Sequence, residues 1–177
     1  SNKYDFKTSE MYMDYSEREN YLFNSTINGI EETDLIILIG VNPRFEATML
    51  NARIRKAYLK NNIKIISLND VGDLTYPYNS LNGKTETLNE ILQNKNLISN
   101  DIIVSKKPMI IFGESFFKLN SAKYLFNSFK KFLSENDKFS DSWNPLNILS
   151  VDASTVGNLD LDLIDENNDL IKNLNKN

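Results

Sequence analysis

Apolar residues in this chain follow two patterns, short unbroken runs and longer stretches that recur at three- and four-residue steps. Residues 34–40 (DLIILIG) form the clearest run. Its length and its lack of polar alternation predict a parallel strand buried on both faces, ended by glycine. Residues 63–68 (IKIISL) and 107–113 (KPMIIFG) repeat the design, and 143–151 (WNPLNILSV) holds a shorter final strand or docking segment. Between the first two runs, Phe45, Met49 and Ala52, with Leu50, Ile54, Ala57 and Tyr58 beside them, recur at helical spacing and predict a helix over about 45–60. Strand, helix and strand then fit the length of a right-handed crossover.

The same reading places further helices. Ser16 with Glu19 three residues on resembles a capping box and predicts a short helix around 17–25, with Tyr21, Leu22 and Phe23 as buried anchors. Helical spacing recurs over 84–93 and 99–105, and again in a long amphipathic stretch over 115–136 that carries Phe116, Leu119, Ala122, Leu125, Phe126, Phe129 and Leu133. Residues 69–82 contain Gly72, Pro77 and other turn formers, so they read as a loop after a strand, a common place for a site. A brief helical turn is expected at 153–156. This alternation predicts an α/β, Rossmann-like domain whose mainly parallel sheet is flanked by helices, over 16–157. Residues 1–15 form a lead-in that begins with Ser1-Asn2, which reads as the remnant of a cleaved expression tag, and 158–177 form a polar tail that frays.

Composition narrows the chemistry. At 177 residues, 41% of them hydrophobic, the chain can bury one sizeable core. Its 20 basic and 24 acidic residues give no global pull toward nucleic acid. It has neither cysteine nor histidine, which removes disulfides, iron–sulfur ligation and every Ser-His or Cys-His nucleophile from this segment. The longest apolar run, from Leu35 to Val41, is far short of the ~20 residues that span a bilayer.

The six glycines, at 29, 40, 72, 83, 113 and 157, form neither a dinucleotide fingerprint nor a phosphate-binding P-loop. The single-glycine turn at Gly40 either grips a ligand with free helix amides or only starts a helix that Asn42 caps, Pro43 opens and Glu46 favours by its charge. Arg53, Arg55 and Lys56 fall in the second half of the following helix. Arg44 lies in the turn itself, able to pair with Asp70, Asp73 or a partner's carboxylate. Glu31 and Glu32 read as surface residues. Asp160, Asp162, Asp165 and Glu166 lack the spacing of a calcium loop and read as a solvated face.

The run NYLFNSTINGIEETDLIILIGVNPRFEATMLNARIRKAYLKNNIKI, followed by DLTYPY, KKPMIIFG and WNPLNIL, resembles the carboxyl-terminal region of the 75 kDa-type iron–sulfur subunits of respiratory complex I, the NADH-quinone oxidoreductase. The likeness covers about residues 20–163. It implies a molybdopterin oxidoreductase-like fold kept without its cofactor, in an enzyme that passes electrons from NADH to quinone and couples this to proton translocation. The iron–sulfur clusters would belong to the upstream part of the full-length subunit. On this resemblance the segment has no catalytic residues and binds no metal. Gly40, Asn42, Pro43 and Asp70 are a vestigial cofactor cradle, and Arg44, Arg53, Arg55 and Lys56 are interface or ion-pair residues. Its partners would be the cluster-bearing amino-terminal part and other peripheral-arm subunits. It would sit peripherally, on the cytoplasmic side of a bacterial inner membrane or the matrix side of a mitochondrial one.

Thr48 stands where the family favours proline, Val41 where a small polar residue is common, and the sequence drifts after Leu163. The rival expectation is a turn that still binds the guanine dinucleotide form of molybdopterin, within a molybdenum oxidoreductase. A plain nucleotide-binding module is disfavoured by the glycine pattern.

Overall fold

The computed structural model describes residue 14, residues 16–151 and residues 154–161. Five parallel strands form one sheet in the order β3-β2-β1-β4-β5, where β1 is Leu35–Ile39, β2 Lys64–Ser67, β3 Asn79–Ser80, β4 Pro108–Gly113 and β5 Leu146–Leu149. The expected α/β, Rossmann-like architecture is therefore present. β1 and β4 occupy the middle and are buried along their whole length, as their unbroken apolar runs require.

Alternate side chains of the central strands enter opposite cores. Leu35, Ile37, Ile39, Ile110 and Phe112 point into one, and Ile36, Leu38, Met109 and Ile111 into the other. The first core is closed by α4 (Thr85–Leu92), α5 (Leu97–Val104), α6 (Glu114–Phe117) and α7 (Ala122–Glu135). At its centre Phe112 meets Phe116, Phe126 and Phe129 with ring centroids 4.7, 5.5 and 5.6 Å apart, tilted or edge-on as aromatic quadrupoles prefer. The second core is closed by α3 (Thr48–Asn61), which buries Leu50, Ile54 and Ala57 from one side, together with Ile30, Leu74, Tyr76 and Trp143. The Trp143 indole N–H donates to the Pro108 carbonyl at 2.9 Å, so its polar edge is satisfied inside this core.

Several expected elements are broken or moved. The helix expected over 45–60 is two helices, α2 (Pro43–Glu46) and α3, separated by Ala47 at φ −152°, ψ 75°. The long helix expected over 115–136 is likewise split into α6 and α7, because the chain must turn after Phe116 and Phe117 have entered the core. The helix expected around 17–25 is a 3-10 turn, Arg18–Asn20, followed by a bridge and the four-residue α1, Thr26–Gly29. No capping box forms there, since the Ser16 hydroxyl donates to Asp14 and Glu19 accepts from the Asn144 amide. Tertiary pairing overrides the local pattern: Phe23 bridges antiparallel to Asn147, and the Ile148 amide donates to the Leu22 carbonyl, sealing the β5 edge of the sheet.

The loop expected over 69–82 contributes the two-residue β3 at the opposite edge. The helical turn expected near 153–156 is α8 (Thr155–Asp160), which crosses the expected domain end at 157. Asp160, read as solvated tail, is instead gripped by both Nε and Nη2 of Arg18 at 2.9 and 2.8 Å and by the Tyr21 hydroxyl at 2.9 Å. The Arg18 guanidinium and then the Tyr21 hydroxyl hold its carboxyl below the usual aspartate value. The Ser1-Asn2 remnant, most of the lead-in, Asp162, Asp165, Glu166 and the rest of the polar tail lie outside the described residues.

A polar cleft at the carboxyl ends of the strands

The chain leaves β1 toward β2 on one side of the sheet and returns to β4 on the other. The strand order therefore reverses between β1 and β4, and ligands in open α/β sheets settle at such a reversal. The turns after these two strands meet there. Gly40 has φ +64°, a conformation that favours glycine, and a Cβ on it would fall 2.6 Å from the Phe116 amide nitrogen. A Cβ on Gly113 would fall 2.2 Å from the Gly40 carbonyl oxygen. The Ser115 hydroxyl donates to that same oxygen at 2.5 Å.

Beside this contact lies a small polar cleft of about 160 Å³, lined by Gly40, Val41, Asn42, Glu46, Ser67, Asn69, Val71 and Ser115. Three cradle residues expected from the sequence, Gly40, Asn42 and Pro43, come together at this turn. The Asn42 carboxamide accepts from the Arg44 amide at 3.1 Å, which makes it the cap of α2, and donates to the Val71 carbonyl at 2.9 Å. Pro43 occupies the first helical turn, where it has no N–H to offer.

The Asn42 amide donates at 2.6 Å to Oε1 of Glu46, and the Phe45 amide to the Asn42 carbonyl at 3.1 Å. The amides that would greet an anion are thus already used, one of them by a carboxylate of the chain itself. Asp70 stands apart from the cleft: it accepts from the Gly72 amide at 3.0 Å and the Tyr78 hydroxyl at 2.8 Å, and these bonds, in that order, lower its pKa.

The four expected cations divide in a way that sequence left open. Arg44 pairs with Asp73, through both its carboxylate and its carbonyl at 2.6 Å, and not with Asp70. Asp73 is held below the usual aspartate range first by the Thr75 amide and then by Arg44, with Arg55 adding attraction from farther away. Arg53 and Lys56, one helical step apart on α3, both reach Oε1 of Glu31 at 2.8 Å. Glu31 is consequently an intramolecular anchor, its pKa lowered first by Lys56 and then by Arg53. Arg55 is exposed.

Sequence reading missed Ser115 and Gly113 as parts of this region. The signal was the second strand-closing glycine, a repeat of the first. Chemically, the cleft offers hydroxyls, amides and one carboxylate. Ser67 and Ser115 have no imidazole to activate them, because the chain has no histidine. Among the described residues no three acidic side chains come together to hold a metal ion, and no helix is long and apolar enough to cross a membrane.

A three-layer parallel α/β domain with its reversal point at a glycine turn is the class that this geometry defines, and comparison with known proteins narrows it. The molybdopterin oxidoreductase family model matches residues 1–177, and the chain belongs to that family. It is 37% identical over 158 residues to the NADH-ubiquinone oxidoreductase 78 kDa subunit of Candida albicans, covering 89% of this chain and 22% of that protein. It is 36% identical to the 75 kDa subunit of Reclinomonas americana over 89% of this chain and 23% of that protein. With an NADH-quinone oxidoreductase subunit of Rickettsia bellii the identity is 31%, over 90% of this chain and 24% of that protein. The chain thus spans about a quarter or less of the length of these curated relatives, which are named as subunits of NADH-ubiquinone or NADH-quinone oxidoreductase.

Proposed function

We propose that this chain is a non-catalytic structural domain of a complex I subunit of the 75 kDa type. Electrons would pass from NADH to quinone through iron–sulfur clusters held elsewhere in the full-length polypeptide. The reading is supported by the relatives' names and by a chain without cysteine or histidine. The observation that carries the cofactor-free part of it is the Glu46 carboxylate on the Asn42 amide. An anion already occupies the place where a nucleotide phosphate would be received, and repulsion would oppose a second.

The residues present do not fit the nucleotide half of a pterin cofactor. The cleft, at about 160 Å³, is below the ~300–1,000 Å³ of ordinary small-molecule sites. A domain of this kind contributes packing surface and rigidity to a peripheral, membrane-associated assembly. The contacts of Arg44 with Asp73, and of Arg53 and Lys56 with Glu31, favour intramolecular ion pairing for three of the four expected cations.

Elemental analysis of the purified full-length polypeptide tests the reading. It expects iron and acid-labile sulfide, with no molybdenum and no guanine nucleotide released on acid treatment. Molybdenum and guanine nucleotide at one equivalent would instead establish the alternative, a molybdopterin guanine dinucleotide-binding domain of a molybdenum oxidoreductase.

A further inference from the structure

Asparagine is followed by glycine twice in the chain, at Asn28-Gly29 and Asn82-Gly83. Such a pair is reactive because glycine has no side chain to shield its backbone nitrogen, which can attack the asparagine Cγ. The attack closes a succinimide ring and expels ammonia. Water then opens the ring at either carbonyl and leaves aspartate or isoaspartate, with no oxidant, reductant or metal consumed. Both asparagines are exposed, so access to water does not separate them. Their hydrogen bonds do.

At Asn82 both reacting groups are held. The carboxamide oxygen accepts from the Lys84 amide at 3.0 Å and from the Thr87 hydroxyl at 2.6 Å, which fixes it over the start of α4. The Gly83 amide donates to the Leu68 carbonyl at 2.8 Å. Ring closure requires the Gly83 nitrogen to leave Leu68 and the carboxamide to leave α4. Asn28 differs on each count. Its carboxamide has no hydrogen-bond partner among the described residues. The Gly29 amide donates to the Thr26 hydroxyl at 3.3 Å, beyond the usual N–H···O range. α1 is a single turn of four residues that starts at Thr26 with φ +60°, outside the helical region, so no regular hydrogen-bond ladder stiffens it.

We propose that Asn28 is a site of spontaneous deamidation in the folded protein, while Asn82 is protected by its bonds at the start of α4 and by the bond of Gly83 to Leu68. The product carries a new carboxylate three residues before Glu31, the anchor of Arg53 and Lys56. Its isoaspartyl form also adds one methylene to the backbone directly before Gly29, where a Cβ would already come within 3.3 Å of the Trp143 ring.

The test incubates the full-length polypeptide in mildly alkaline buffer, folded and in denaturing urea, and follows the peptides carrying Asn28 and Asn82 by mass spectrometry, with enzymatic methylation of isoaspartate as a second readout. In the folded protein Asn28 should convert about tenfold faster than Asn82, because opening Asn82 forfeits three hydrogen bonds. In urea the two rates should converge. Equal rates in the folded protein, a faster rate at Asn82 or no conversion at Asn28 would each overturn the proposal. So would a difference that persists in urea, since it would belong to the local sequence and not to the fold. As a second measurement, Thr87→Val removes one bond to the Asn82 carboxamide and should raise the Asn82 rate several-fold while leaving Asn28 unchanged. An unchanged Asn82 rate would overturn the protection assigned to these bonds.

Discussion

Gly113 presses so closely beneath Gly40 that a Cβ on Gly113 would lie 2.2 Å from the Gly40 carbonyl oxygen, with Val41 Cβ at 2.7 Å. This contact locks the turns after the two central strands together at the point where the sheet reverses its winding. The obstacle is backbone, so no side-chain rotation relieves it. Gly113→Ala should therefore destabilise the domain by about 3 kcal/mol or more, at or beyond the upper end of ordinary overpacking. Thermal unfolding followed by circular dichroism measures it, and a melting temperature unchanged from the parent would refute the contact.

Asn147 is fully buried beside the amino-terminal segment. Its carboxamide accepts from the Ser25 amide at 2.8 Å and donates to the Ser25 hydroxyl and the Pro145 carbonyl, both at 3.1 Å. Asn147→Leu keeps the branched heavy-atom shape, though with bulkier methyl groups, and strands the Ser25 N–H, which alone costs roughly 1–3 kcal/mol. Denaturant unfolding read by fluorescence of the single tryptophan, buried Trp143, reports the loss directly.

Glu46→Ala removes the acceptor of the Asn42 amide at the start of α2. A charge-assisted bond in a half-exposed site predicts a loss of about 1 kcal/mol. The variant should also protect that amide less in hydrogen exchange, whereas equal protection would mean that water or another group replaces the carboxylate without cost.

Asp34 links the start of β1 to the start of β4. Burial alone would raise its pKa, but bonds from the Ser105 hydroxyl and from the Lys106 and Lys107 amides outweigh it and leave the pKa lowered from 3.8. A carboxyl depressed in the folded state gives stability that is fully present above its unfolded pKa and lost as pH falls through the folded one. Acid titration of stability should therefore show a loss beginning near pH 4 and continuing below it, and Asp34→Asn should reduce that slope. An identical acid profile for the variant would remove Asp34 from the account.

Charge pairing on α3 makes a gentler prediction. Arg53 and Lys56 share Glu31 at the protein surface, where solvent and salt weaken each pair. Arg53→Ala should lower the melting temperature slightly, and the difference should shrink in high salt. A large, salt-independent loss would mean that the Arg53 stem is packed rather than its charge paired.

Much was legible from residue pattern because burial on both faces leaves an unmistakable mark. The runs at 34–40, 63–68 and 107–113 read as covered strands by their length, and alternating them with helical spacing leaves a parallel α/β sheet as the economical solution. Asn42 as cap and Pro43 in the first turn were equally local facts, decided within one helical turn.

Only the tertiary structure decided the relations that depend on distant chain. The kinks at Ala47 and after Phe117 follow from where the next helix must pack, which no helical period encodes. The amino-terminal stretch gave up its expected helix because Phe23 and Ser25 find partners at Asn147, more than a hundred residues away. Likewise Arg44 chose Asp73 over Asp70, and Asp160 left the expected tail for Arg18, once folding fixed which charges were in reach. Sequence set the periods along each segment; the closure of one strand turn upon another, and with it the narrowness of the cleft, belongs to the folded sheet.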